Sequence, residues 1–155
     1  MKAAALLLSL DDVRDVLPPG STLARTDEPA PSGSVGEVLR AAATDSVYRR
    51  FRGQLPDGSL VTIAELGVIL GSTQVAAHTF EQVVKAAHLH TELDGASVAV
   101  ETVTAPSGLV SYWGFVHAGQ AIVILTIDTL DPQRVSIAAL RSLASLAAQK
   151  LVSAS

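Results

Sequence analysis

Apolar, strand-forming positions are densest between Leu109 and Leu130, and the rest of the chain reads as cover for that stretch. Val, Ile, Tyr, Trp, Phe and Thr dominate both arms, the residue types that fit a pleated surface. Gly119 separates the arms, and a type II′ turn centred on Gly119-Gln120 would place the glycine where φ must be positive. Such a loop pairs Val116 with Val123, Gly114 with Leu125 and Tyr112 with Ile127. One face then carries Val110, Tyr112, Val116, Val123, Leu125 and Ile127. The other carries Ser111, Trp113, Phe115, His117, Ile122, Ile124, Thr126 and Asp128. Both faces are apolar near the turn, so the hairpin is central or something covers its second face.

Ahead of it, Ser9-Leu-Asp-Asp has the form of a capping box and predicts a short helix from Leu10 to Val16, ended by Pro18-Pro19-Gly20. Residues 21–25 suit an edge strand, 27–36 have loop composition, and 35–43 suit one or two helical turns. Asp45–Gly53 and Ser59–Leu70 read as the arms of a second hairpin. With Asp57-Gly58 as its loop, Phe51 faces Ala64, Val47 faces Val68 and Arg50 faces Glu65. That register groups Tyr48, Arg50, Arg52, Val61, Ile63 and Glu65 on one face. Gly71-Ser72-Thr73 opens a helix to about His88, with an apolar stripe through Ala76, Phe80 and Val83. Leu93-Asp94-Gly95 closes it, and residues 96–104 form another strand. Asp131-Pro132 is an N-cap and N1 pair for a last helix to Val152, with Leu140, Leu143, Ala147 and Leu151 inward.

The expected fold is α+β, one domain over residues 1–155. An antiparallel sheet of about five or six strands carries two long helices on one face, leaving the N-terminal segment to cover the other in an α/β/α sandwich.

Composition narrows this picture. Hydrophobic residues make up 48% and aromatic ones only 4%, so the core is built from Ala, Val, Leu and Ile. No window approaches the roughly 18 uninterrupted apolar residues of a membrane span. A net charge of -4 argues against nucleic acid or an anionic membrane as partner. The chain has no Cys, which excludes disulfides and thiolate chemistry, and no Asn. With a single Met, this is the composition of a thermophile or of high-GC coding. The opening MKAAALLLSL imitates a signal peptide, but the run is short and meets Asp11-Asp12 directly, so it reads as the first folded segment.

Candidate chemistry is sparse. There is no G-x-S-x-G, P-loop, H-E-x-x-H or G-x-G-x-x-G, and no carboxylate pair stands out as acid and base. His88 and His90 would share a face only on a strand; on a helix they read as a solvated end. His117 sits beside the hairpin turn on the Trp113/Phe115 face. Arg49, Arg50 and Arg52 are the one basic cluster, able to hold an anion or to pair with Glu65. No cofactor or metal is expected.

Several stretches together resemble a known group. They are Leu6-Leu-Leu-Ser-Leu-Asp-Asp followed by Leu17-Pro-Pro-Gly-Ser-Thr-Leu, then Tyr48-Arg-Arg-Phe, then Gly71-Ser-Thr-Gln-Val-Ala-Ala-His-Thr-Phe, with a strand pair around His117-Ala-Gly-Gln near the end. The layout is similar to that of bacterial exported domains that include the extracellular sensor domain of the mycobacterial kinase PknH and LpqN-type lipoproteins, with a PsbP-like fold. The resemblance implies a non-enzymatic extracytoplasmic binding or sensor domain, exported or lipid-anchored by a signal ahead of this sequence. It transfers no functional residue, and the sensor domain's disulfides have no counterpart here.

The expected ligand is small or lipidic, or else a protein partner, held on the second sheet face by Trp113, Phe115, His117, Arg50 and Arg52. The alternative buries that face in a homodimer. A small α+β enzyme using His117 as base is the third reading, and it needs an acidic partner for that histidine.

Overall fold

The strand-forming runs assemble into one sheet in the computed structural model, which describes residues 1–26, 30, 34–85, 89–93 and 95–155. Its strands are β1 (Thr22–Thr26), β2 (Asp45–Gln54), β3 (Leu60–Ile69), β4 (Leu89–Leu93), β5 (Ala96–Thr104), β6 (Val110–Ala118) and β7 (Ala121–Thr129). They lie in the order β1-β2-β3-β7-β6-β5-β4, and every neighbouring pair is antiparallel. A 3₁₀ turn (Ala3–Leu6) and helices α1 (Leu10–Arg14), α2 (Ser34–Ala42), α3 (Thr73–Val84) and α4 (Ile137–Ala154) complete the described elements.

The α+β class with an antiparallel sheet is therefore as expected, with seven strands rather than five or six. The additional strand is β4, whose Leu89-His-Thr-Glu-Leu follows the helix and pairs with β5 as an edge. The central hairpin has the expected register, with Val116 opposite Val123 and Tyr112 opposite Ile127. The capping box also forms: Asp12 N donates to Ser9 Oγ at 3.1 Å and Ser9 N to Asp12 Oδ2 at 3.0 Å. Ser72 caps α3 by accepting from Val75 N at 3.1 Å.

Three expectations are corrected. The β2–β3 register is shifted by one residue, so that Phe51 faces Ile63, Arg50 faces Ala64 and Arg49, not Arg50, faces Glu65. The loop is longer than two residues: Leu55 N donates to Ser59 O at 2.8 Å and Gly58 N to Leu55 O at 2.9 Å. Gly58, at φ 91°, takes the left-handed position that this wider turn requires. A one-residue slip moves every side chain to the other face, so Val61, Ile63 and Glu65 lie opposite the Trp113 face, not on it.

The last helix begins at Ile137, capped by Ser136, not at Pro132. Asp131 does organise a turn, with Val135 N donating to Asp131 O at 3.0 Å, but Val135 is then fully buried and the helix starts after it. Finally, the two long helices lie on opposite faces. α4 packs on β5, β6 and β7 together with the 3₁₀ turn and α1. There Leu140, Leu143, Ala147 and Leu151 join Ile63, Tyr112, Val116, Val123 and Leu125 in the larger core. α3 and α2 cover the other face, where Leu39, Ala76 and Phe80 meet Leu66, Val68, Phe115, Ile122 and Ile124.

Candidate functional site

Four strands meet under α2, and their register builds a cleft. Across β2, β3, β7 and β6 one row reads Arg50, Ala64, Thr126, Trp113. The next row toward α3 reads Tyr48, Leu66, Ile124, Phe115, and the row on the other side reads Arg52, Thr62, Asp128, Ser111. The middle of the first row is small while its ends, Arg50 and Trp113, are large. A low floor between tall walls follows directly.

The resulting cleft measures about 230 Å³. Its floor includes Thr62, Ala64, Leu66 and Thr126; Tyr48 and Arg50 line one side and Trp113 the other, with Gly36 and Arg40 from α2 above. Asp128 and Ile124 complete the strand contribution. Arg40 is steadied by its own helix, its Nε donating to Gly36 O at 3.3 Å. Trp113 stacks on Phe115 with ring centroids 6.2 Å apart and planes 15° from parallel. The indole is half-buried while Phe115 is buried beneath the helices. The lining therefore combines a flat aromatic wall, a floor of threonine and aliphatic side chains, two guanidinium groups and the Asp128 carboxylate. Such a mixture can stack an apolar body and fix a charged end.

The five residues named from the sequence are spread over this face rather than gathered. Arg50 and Trp113 line the cleft. Phe115 supports Trp113 from within the core. Arg52 stands one row away beside Thr62, exposed. His117 lies under α3, where its ring stacks on Phe80 at 5.3 Å and its Nε2 donates to Gly119 O at 3.1 Å. Arg40, Tyr48 and Asp128 were not named from the sequence. Asp128 and Tyr48 read from the sequence as strand residues, but the shifted β2–β3 register hid the small Ala64–Thr126 floor that brings both to one cleft. His88 lies outside the described residues, and so does the side chain of His90. Among the described residues, no group of three His, Asp or Glu is placed to hold a metal ion. No described helix is long and apolar enough to cross a membrane.

Among the described residues, the opposite face holds the one deeply buried charge position. Glu65, on β3, is 1% exposed. Burial pushes its carboxyl up to about 7, against the hydrogen bond from Leu8 N and the charges of Arg49 and Lys150. Tyr112, on the same face, is also raised by burial.

Fold and cleft define a class first: an antiparallel α+β sandwich with a half-open pocket on one sheet face. No family model matches the chain, and no curated protein matches it. Among solved structures it is similar to the extracellular domain of PknH from Mycobacterium tuberculosis, with a TM-score of 0.54 over 95% of both chains. Sequence identity is 10%, so the likeness is one of fold. It extends the layout resemblance seen in the sequence to three dimensions, without bearing on its lipoprotein or PsbP-like aspects.

Proposed function

We propose that this chain is a non-enzymatic, extracytoplasmic binding or sensing domain whose ligand enters the cleft between α2 and the sheet. The observation that carries the reading is the cleft lining, with Trp113 as a stacking wall and Arg50 beside it. Ligand pockets usually measure roughly 300–1,000 Å³. At about 230 Å³ this one suits a small molecule, or the anionic end and first carbons of a lipidic one. The fold similarity to the extracellular domain of PknH supports the sensing role and the compartment. His117, held by Phe80 and Gly119, supports the non-enzymatic reading.

Trp113 is the only tryptophan, so its emission reports on the cleft directly. Titration with a panel of short and medium-chain fatty acids and aromatic carboxylates is expected to shift that emission saturably. Arg50→Gln should weaken binding across the panel, since every member carries a carboxylate. A stable dimer in solution whose Trp113 emission is blue-shifted and indifferent to the whole panel overturns the reading, and makes this face a subunit interface instead.

A further inference from the structure

The segment that closes the α4 face is tied down by polar groups in surroundings that are otherwise apolar. Residues 3–8 form a strap that packs on β2, β3 and α4. Gly67 leaves room for it, since a Cβ there would lie 3.2 Å from Leu7 Cδ2 and 3.3 Å from Ala3 O. The strap belongs to no ladder, and its buried backbone groups need partners from elsewhere. Leu7 O accepts from Lys150 Nζ at 2.7 Å and Leu8 O from Arg49 Nη1 at 2.8 Å. Ala3 N donates to Asp45 Oδ2 at 2.8 Å, and Leu8 N to Glu65 Oε1 at 3.1 Å.

Glu65 differs from the other anchors. It is almost wholly buried, and its Oε2 has no hydrogen-bond partner among the described residues. A buried carboxylate with one bare oxygen is poorly solvated as an anion and better tolerated as an acid. Arg49 on β2 and Lys150 on α4 favour the anion, while Asp12 on α1 opposes it. From β7 the facing residue is Leu125, and from the strap the Leu8 amide. Burial outweighs both cations and holds the group near 7 instead of its ordinary 4.5.

We propose that Glu65 makes the N-terminal strap a pH-operated latch, closed over the sheet while the carboxyl keeps its proton and loosened when it ionises and draws water to its bare oxygen. The proton leaves to solvent, and the carboxylate that remains is hydrated only where the strap lifts. The latch lies on the reverse of the cleft floor but does not depend on what the cleft binds. A closed value of about 7 against an open value of 4.5 means that opening grows between those limits and levels off above them.

The test is amide hydrogen exchange of the whole chain by NMR, as protection factors corrected for intrinsic exchange. Between about pH 5 and pH 7.5, protection at Leu8 should fall on the order of a hundredfold. Leu8 should stay less protected than Leu125, in the middle of β7, at every pH, because the strap lifts without global unfolding. Glu65→Gln should keep Leu8 protected across the range. Leu8 protection that ignores pH, a pH dependence unchanged in Glu65→Gln, or Leu8 protection equal to that of Leu125 throughout the range would each overturn the latch. Should Glu65→Gln fail to fold, Lys150→Met replaces it. Removing a cation that favours the anion should move the fall to higher pH, and an unmoved midpoint overturns the inference.

Discussion

The two faces of the sheet share their strands and differ in how they are closed. On one, α4 has 18 residues, about 27 Å at 1.5 Å per residue, and the strap lies beside it. One core runs from the strap through the sheet to Leu151. On the other, α3 has 12 residues and α2 nine, about 18 and 13 Å. They cover Phe115, Ile122 and Val68 but leave the Arg50–Trp113 row open as a cleft. The lesson is that cover length decides which face of an apolar sheet becomes a core and which becomes a site. The sealed face encloses a titratable carboxyl, and the short-covered face encloses a space.

The sharpest way to break this contrast is to cut the same amount of side chain from each face. Leu140→Ala on the sealed face should destabilise by about 2–5 kcal/mol in denaturant unfolding, because α4 and Gly114 leave no route for collapse. Ile124→Ala, beside the cleft, should fall near the low end of that range, about 2 kcal/mol, since water already reaches the neighbouring space. Equal losses at the two sites would mean the faces are closed alike.

Next in size is the pH profile of the sealed face. The folded carboxyl of Glu65 stands at about 7, above its ordinary 4.5, so the folded state holds the proton more tightly than the unfolded one. Its contribution is harmless below 4.5 and becomes fully destabilising above about 7, reaching about 3 kcal/mol at 1.36 kcal/mol per unit. Glu65→Gln should therefore raise stability by about that amount at pH 8, leave it unchanged near pH 4, and flatten the profile between. Thermal or urea melts across the range measure this. A variant that stabilises at pH 4 as much as at pH 8 would refute the account.

Smaller effects belong to the open face. Trp113→Ala removes one cleft wall; with the indole half-buried it should cost about 1–2 kcal/mol and leave the cleft unable to bind members of the carboxylate panel, as read by calorimetry. Ser72→Ala removes the α3 cap and should cost about 1 kcal/mol in unfolding measurements. It should loosen the helix over His117 without changing affinity at the cleft.

Much of the fold was legible locally. The Leu109–Leu130 hairpin, the Ser9–Asp12 capping box and the Ser72 cap are short-range arrangements whose residues carry their own geometry. Trp113 and Arg50 were legible as candidates because large amphipathic side chains stood on apolar strands. Their joint placement was not, since it depends on the β2–β3 register. That register turned on whether the Leu55–Ser59 loop holds two residues or more, and Pro56-Asp57-Gly58 is compatible with both. Arg49, not Arg50, consequently meets Glu65.

What the sequence by itself determined is the period of each segment, its caps and its tight turns, because these are settled within a few residues. Only the tertiary structure decided which face each helix takes, where β4 docks and which side of β3 the Glu65 carboxyl enters. An apolar helix stripe is complementary to either face of an apolar sheet, and the choice is made by the lengths of the connections and the room left by neighbours. The cleft arises from that choice, as α4 and the strap take one face and the shorter α2 and α3 are left with the other.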